Sequence, residues 1–83
     1  MMAELIQTYA EVVRDVGGEE YTAHACGEAR DDGTWEGWLE FHSALGAVRR
    51  TNRETTQPDR DALAYWASGL EPIYLDGAFA RAS

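Results

Sequence analysis

Four residues whose side chains can bind a metal or transfer a proton lie in two neighbouring stretches of this sequence: His24, Cys26, Glu40 and His42. Imidazole, thiolate and carboxylate groups are ligands that zinc accepts, which makes these residues candidate metal ligands. The spacing contains neither C-x-x-C nor H-E-x-x-H, and diagonal neighbours on two paired strands stand roughly 7–8 Å apart. We therefore expect no metal and no cofactor. We interpret the set as a polar strand face that carries a His–Glu pair.

Nucleophilic catalysis is the second chemistry that these residues suggest, because His24 lies close enough in sequence to activate Cys26. A thiol enzyme also needs a group that orients the base and donors that stabilise an oxyanion, and the sequence offers neither. Carboxylate pairs are expected from the number of acidic residues alone, and none lies in an apolar stretch that would tune a general acid. A small metal- or thiol-dependent enzyme is thus the third-ranked hypothesis, and we predict no catalytic residues.

The composition narrows the class of protein further. The chain has 83 residues, 15 of them acidic against seven arginines and no lysine, and its net charge is −8. Binding to a nucleic-acid backbone requires clustered cations, so we expect no nucleic-acid partner. A single cysteine excludes an internal disulfide, no apolar run reaches membrane-spanning length, and the N-terminus has no signal-peptide pattern. We expect one cytoplasmic domain over residues 1–83 with no membrane partner.

The candidate residues lie on two strands that the sequence predicts from Tyr21 to His42, joined at Asp31-Asp32-Gly33. A three-residue loop with Gly33 left-handed leaves one strand face wholly apolar, whereas a two-residue turn would bring acidic residues onto it. The three-residue loop therefore predicts these opposing pairs: Arg30–Thr34, Ala29–Trp35, Gly27–Gly37, Ala25–Leu39, Ala23–Phe41, His24–Glu40 and Cys26–Trp38.

Trp38 falls on the polar face in this register, opposite the face that the helices cover. An exposed tryptophan among polar residues is typical of an interface anchor. The alternative is that the N-terminal segment folds over it, with Tyr9 as its neighbour. We predict a homodimer whose interface contains Trp38, Cys26 and His42. In this dimer the cations from Arg49 to Arg53, with Arg49 and Arg53 included, pair with carboxylates of the other subunit. The same cations could instead pair within the chain, with Glu36 and Glu40; an anion site is less favoured because no Gly-rich loop accompanies them.

The flanking segments complete the predicted fold. Residues 4–16 carry both helical spacing and β-branched residues, and we favour a strand from Thr8 to Asp15 with a two-residue Gly17-Gly18 loop, which places Val12 opposite Ala23 and Ala10 opposite Ala25. Any helical turn would lie in residues 2–6. A loop at residues 43–46 precedes a fourth strand from Ala47 to Thr51.

Two helices are predicted after the strands. Thr56 caps the first, which has Pro58 in its opening turn and ends near Gly69, and Pro72 opens the second. The predicted fold class is α+β: an antiparallel meander of about four strands followed by two short helices packed on one face. We expect one core beneath the helices, formed by Trp35, Leu39, Phe41, Leu63, Trp66, Leu70, Leu75 and Phe79.

Four segments of the chain have distinctive sequence motifs: DG-x-W-E-G-W-x-E-F at Asp32–Phe41, R-E-T-T-Q-P at Arg53–Pro58, Y-W-A-x-G-L at Tyr65–Leu70 and Y-L-x-G-A-x-x-R-A at Tyr74–Ala82. Over about residues 20–82 the sequence resembles a group of small bacterial hypothetical proteins that share these segments. The resemblance implies no activity, catalytic residue or cofactor. The order of strands and helix is also similar to that of the antitoxins of small toxin–antitoxin pairs, although their sequence signatures are absent.

These observations favour a non-enzymatic protein-interaction module that forms a homodimer through the outer sheet face or an edge strand. The alternative is an acidic binder of a basic partner, acting as a nucleic-acid mimic or as a neutraliser of a toxin-like protein.

Overall fold

In a computed structural model of the chain, which describes residues 2–83, an antiparallel sheet is covered on one face by two helices. The elements are β1 (Glu4–Arg14), β2 (Glu20–Ala29), β3 (Trp35–Ser43), β4 (Val48–Arg50), β5 (Thr55–Gln57), α1 (Arg60–Ser68) and α2 (Pro72–Arg81). The first four strands are neighbours in chain order, and β5 pairs with β3. The predicted α+β class, with a meander followed by two helices, is confirmed.

The central hairpin has the predicted register. Pairing runs from Tyr21 opposite Ser43 to Ala29 opposite Trp35, and places Gly27 opposite Gly37. The loop is closed by the backbone N–H of Arg30, which donates to the carbonyl of Thr34 at 2.7 Å. Gly33 has a φ of +88°, the left-handed conformation that the three-residue loop requires. The polar and apolar faces of β2 and β3 are therefore those that the sequence predicts.

The hairpin between β1 and β2 differs from its prediction by one residue. The N–H of Asp15 donates to the carbonyl of Glu19 at 3.0 Å, so the loop contains three residues and not two. Val12 consequently lies opposite Thr22 and not opposite Ala23. Two register shifts, between Leu5 and Gln7 and between Thr8 and Val12, interrupt the strand. The predicted helical turn is also wrong for residues 4–6, because β1 is extended from Glu4 onward.

The edge of β3 pairs with two short strands. The backbone N–H of Thr51 donates to the carbonyl of Leu39 at 2.9 Å, and that of Glu54 donates to the carbonyl of Gly37 at 2.8 Å. Asn52 and Arg53, which lie between these two donors, are therefore an insertion between β4 and β5. The fourth strand is shorter than the predicted Ala47–Thr51 because this insertion ends it.

Helix α1 begins later than the sequence predicts. Thr56 does not cap the helix, as predicted, because it lies in β5 opposite Glu36. The cap is Asp59, whose Oδ1 accepts the N–H of Ala62 at 2.8 Å. Gly69 ends α1 and Pro72 opens α2, as predicted.

The core lies between the sheet and the helices. Of the eight predicted members, Leu39, Phe41, Leu63, Leu75 and Phe79 are buried, and Trp66 and Leu70 are partly buried against them. Trp35 is only half-buried, because it begins β3 at the end of the sheet. Leu63 fits closely over the Gly27–Gly37 pair: a Cβ placed on Gly37 would lie 2.6 Å from its Cδ1. Tyr9 belongs to this core and donates its hydroxyl to the carbonyl of Ala67 at 2.6 Å.

Candidate functional site

The face of the sheet opposite the helices carries the predicted polar residues, and we call it the outer face. Paired residues of an antiparallel sheet project to the same side, so the register assigns its members. They are Leu5, Thr8, Val12 and Arg14 of β1, Glu20, Thr22, His24, Cys26 and Glu28 of β2, Glu36, Trp38, Glu40 and His42 of β3, Val48 and Arg50 of β4, and Thr56 of β5.

Both histidines of the chain meet near the middle of this face. The rings of His24 and His42 form an edge-to-face pair with centroids 4.8 Å apart. Nε2 of His42 lies 3.0 Å from Oε1 of Glu40, and Nε1 of Trp38 donates to the other oxygen of that carboxylate at 3.0 Å. Nδ1 of His24 lies 3.1 Å from the hydroxyl of Thr8. The polar groups of the outer face thus bind largely to one another.

This network shifts the protonation of its members. Burial, followed by the neighbouring His42, lowers the pKa of His24 below its ordinary 6.5, although the charge of Glu40 acts in the opposite direction. Burial alone would raise the pKa of Glu40. Hydrogen bonds from Trp38 and His42, with the positive charges of His42 and Arg50, outweigh it and lower that pKa. His24 is therefore a group that resists protonation, and Glu40 is a carboxylate that stays ionised.

Cys26 lies beside this network but is poorly suited to attack a substrate. It is buried, and burial, helped by the carboxylate of Glu40, raises the pKa of its thiol to about 11. The nucleophilic form of cysteine is the thiolate, which is scarce at neutral pH when the pKa is this high.

The four candidate metal ligands share one face, as the register predicts, but they do not converge on a point. Within residues 2–83, no group of three or more His, Cys, Asp or Glu side chains is arranged to hold a metal ion. What they line, together with Leu5, is an open cleft of about 360 Å³. Leu5 is a member that the sequence analysis missed, because the shifts in β1 obscure its alternation.

Trp38 lies on the outer face, as predicted, but the expectation that it is exposed in a single chain is wrong. Only 2% of the residue is accessible to solvent. Its edge donates to Glu40, Cys26 is its neighbour on β2, and the guanidinium of Arg50 lies over the ring at 4.3 Å from the centroid. The proposed alternative cover, Tyr9, belongs instead to the core on the helix side. Because the indole is already buried, a partner would gain little apolar area from it.

The arginines of β4 and the following insertion separate in space. Arg49 lies opposite Phe41, on the helix side, where its guanidinium packs on Phe79 at 4.8 Å and pairs with Asp15 at 3.6 Å. Arg49 therefore does not belong to the outer face. Arg53 is exposed in the insertion, and Arg50 is the cation that does lie on the outer face.

Exposed apolar side chains surround the polar network. Leu5 is 59% exposed, Val12 45% and Val48 53%, and the register places all three on the outer face. His42, which lies between Thr22 and Val48 in the sheet, is half-exposed. The face therefore combines a polar centre whose groups are already bonded with an apolar rim that meets solvent.

A second concave surface lies at the end of the sheet that carries the β2–β3 loop. It encloses about 480 Å³ and is lined by Glu28, Ala29, Arg30, Asp31, Asp32 and Glu36. Arg30 pairs with Glu36 at 3.4 Å, and Asp32 accepts the N–H and the hydroxyl of Thr34. The sequence predicts no role for this end of the molecule, although it contains several acidic residues close together.

In comparisons with known proteins, no family model, curated protein or solved structure matches the chain. Across residues 2–83, neither α1 nor α2 nor any other helical segment has the length and apolar character needed to cross a lipid bilayer.

Proposed function

We propose that the protein is a non-enzymatic protein-interaction module that forms a homodimer through its outer face. The observation that carries this proposal is the exposure of Leu5, Val12 and Val48 around a polar network that is already satisfied. A partner that covers the face gains apolar burial, worth roughly 25 cal/mol per Å². It does so without leaving the carboxylate of Glu40 unpaired, because that group keeps its own donors.

Association through the face is favoured over association through a sheet edge. The edge strand β1 is interrupted by two register shifts, and such irregularities discourage another strand from pairing. At the opposite edge, Arg50 exchanges two backbone hydrogen bonds with Ser83, at 3.0 and 3.1 Å. Both edges are thus poor templates for a further strand, whereas no element covers the outer face.

The size of the face fits a second copy of the chain. The molecule measures 41 × 23 × 18 Å, and each partner of a standard interface buries ~800 Å², so a face spanned by the two longer dimensions has room for an interface of that size. Small self-complementary faces of this kind are commonly used by two-fold dimers. The high pKa of Cys26 and the mutual bonding of the histidine network also support binding over catalysis.

The oligomeric state tests this proposal. We expect wild-type protein to sediment as a dimer, and Val48→Asp to sediment as a folded monomer because it buries a charge in the interface. Val16→Asp is the matched control, since Val16 is fully exposed at a loop outside the face. Wild-type protein that remains monomeric at millimolar concentration would refute the homodimer, as would a Val48→Asp variant that dimerises like the control.

A second candidate is an acidic module that binds a basic partner, and the carboxylate-lined concavity at the β2–β3 loop supports it. Together with a net charge of −8, this surface favours a cationic ligand. Capture of a defined basic peptide such as oligoarginine, with affinity that falls in salt and on Asp31→Asn with Asp32→Asn, tests this function. Unchanged affinity in the double variant would exclude the concavity as the binding surface.

A further inference from the structure

We propose that Arg50 of each subunit pairs with Glu28 of the other subunit, and that these two reciprocal ion pairs set the orientation of the dimer. This inference rests on the proposed function and identifies which charges the interface uses. It follows from the distribution of ion pairs, from the register of the sheet and from the fixed position of one guanidinium.

Most of the arginines are neutralised inside the chain. Ion pairs within residues 2–83 involve these five: Arg14, Arg30, Arg49, Arg60 and Arg81. Arg50 and Arg53 have no carboxylate within ion-pair distance in that part of the chain, and of these two only Arg50 projects from the outer face. Arg50 lies opposite Glu40, and its charge helps to lower the pKa of that carboxyl, but it forms no close ion pair of its own on the face that we assign to association.

The carboxylates of the outer face can be sorted in the same way. Glu20 pairs with Arg14, and Glu36 pairs with Arg30 at 3.4 Å. Glu40 lies 3.0 Å from His42 and has Arg50 opposite it on β4. Glu28 is a half-buried member of the face with no ion pair among the described residues. Glu28 is therefore the carboxylate of the outer face that is left for the Arg50 of another subunit.

The register places these two residues on opposite sides of Trp38. Glu28 lies on β2 opposite Glu36, and Arg50 lies on β4 opposite Glu40, so β3 separates them within one chain. Two faces that pack against each other are related by a two-fold axis in the plane between them. An axis that bisects the line from Glu28 to Arg50 brings each Arg50 over the partner's Glu28, and it passes close to Trp38.

The environment of Arg50 prepares it for this contact. Its guanidinium is held over the indole of Trp38 at 4.3 Å, so less side-chain freedom is lost when it meets a carboxylate. Arginine and carboxylate also match in planar geometry and form two parallel hydrogen bonds. Two such pairs counteract the repulsion between two acidic subunits and disfavour other orientations of the same apolar faces.

Mixing two charge-reversed variants tests the pairing. In a homodimer of Arg50→Glu, both contacts become Glu–Glu, and in a homodimer of Glu28→Arg both become Arg–Arg. We therefore expect each variant to dimerise about 10-fold or more weakly than wild type. Mixed in equal amounts, the two variants form a heterodimer in which both contacts are again Glu–Arg. We expect the mixture to recover wild-type affinity in sedimentation equilibrium with one variant fluorescently labelled.

Matched controls separate this local effect from net charge. Arg53→Glu and Asp76→Arg change the charge by the same amounts, the first at an exposed insertion and the second at an exposed position of α2, on the other side of the sheet. Both should dimerise within about twofold of wild type. If either reversed variant unfolds, Arg50→Gln and Glu28→Gln replace the pair, and a double-mutant cycle of dimer affinity must show coupling.

Each outcome decides one of the two proposals. A monomeric wild-type protein refutes the homodimer and this pairing with it. Three outcomes overturn the Arg50–Glu28 pairing alone. Wild type dimerises but is weakened equally by the reversed variants and by the controls, the mixture of reversed variants stays monomeric, or the effects in the double-mutant cycle are additive.

Discussion

Leu63 occupies the hole that two facing glycines leave in the sheet. A Cβ on Gly27 would overlap Cδ2 of Leu63 and would also lie 3.2 Å from the carbonyl oxygen of Glu36. Leu63 is 1% exposed and has little room to move. We therefore expect Gly27→Ala to lower the free energy of unfolding by about 1–3 kcal/mol, the usual cost of overpacking a core. Urea denaturation measures it.

The control for this substitution is Gly17→Ala. Gly17 lies in an exposed loop with an ordinary φ, and the nearest atom to an added Cβ is Oδ1 of Asp15 at 3.4 Å. The cause can be checked by repeating Gly27→Ala in a Leu63→Ala background, where the penalty should largely disappear. A penalty of the same size in both backgrounds would show that Leu63 is not the residue that the methyl group strikes.

His24 makes the stability of the fold depend on pH. In the unfolded chain it protonates near 6.5, whereas burial and the adjacent His42 lower its pKa in the folded state. Between those two values the unfolded state binds more protons, so stability is complete above about pH 6.5 and falls as the pH drops toward the folded pKa. We expect the thermal midpoint of wild type to decrease over this window more steeply than that of His24→Gln.

The comparison is made at one protein concentration, because dimerisation also shifts the thermal midpoint. Glu40 has a lowered pKa as well, and it adds a further loss only below its ordinary value of 4.5. Parallel midpoint profiles for wild type and His24→Gln above that pH would contradict the assignment to His24.

Among the elements, three hairpin loops share one geometry. In each, the backbone N–H of the residue before the loop donates to the carbonyl of the residue after it, and the pairs are Asp15–Glu19, Arg30–Thr34 and Ser43–Ala47. The third loop residue is a glycine in all three loops, with a φ of +88°, +88° and +92°. A three-residue loop with a left-handed glycine can therefore be predicted from the sequence wherever the polar and apolar alternation supports it, as at Gly33.

The same loop explains two failures of prediction. Applied to Gly18, it would have given the observed register of β1 from Val12 to Arg14. The adjacent Gly17 instead suggested a two-residue loop. Applied to Gly46, it would have placed Arg49 opposite Phe41, on the helix side. The shifts within β1 and the insertion at Asn52 and Arg53 could not be predicted, because no residue pattern there distinguishes a break in a strand from its end.

Gly33→Ala tests the loop conformation directly. A left-handed φ costs a residue with a Cβ roughly 1–2 kcal/mol, so we expect a loss of stability of that order in chemical denaturation. Gly33→Asn should lose less, because asparagine tolerates this conformation better than alanine. Equal losses for the two variants would mean that φ is not the determining factor.

The start of α1 supplies a second test at this scale. Asp59 accepts the N–H of Ala62 at 2.8 Å, and Asp59→Ala should reduce stability by about 0.5–2 kcal/mol. Thr56→Ala is the informative control: Thr56 has the residue type of a cap but is exposed in β5. Its replacement should change stability by less than about 0.5 kcal/mol. A larger effect at Thr56 than at Asp59 would place the cap where the sequence analysis put it.

At the scale of the whole molecule, the division into a covered and an uncovered face follows from the alternation of β2 and β3. That alternation correctly places His24, Cys26, Glu40 and His42 together on the uncovered side. It cannot predict whether Trp38 on that side is exposed, because burial depends on Arg50, and the position of Arg50 depends on the register of a strand that is three residues long.

Salt distinguishes the two proposed functions of the whole molecule. Two copies of a chain with a net charge of −8 repel each other across a dimension of only 18 Å, and the Debye length shrinks to about 10 Å at ~0.1 M salt. Apolar burial is not weakened by such screening, and exposed ion pairs contribute at most about 1 kcal/mol each. We therefore expect the homodimer to tighten as sodium chloride rises from ~0.01 M to ~0.1 M in sedimentation equilibrium. Binding of a basic partner must respond in the opposite sense, because screening removes the attraction on which it depends. Self-association that weakens over this range would mean that ion pairs, and not the rim of Leu5, Val12 and Val48, dominate the interface.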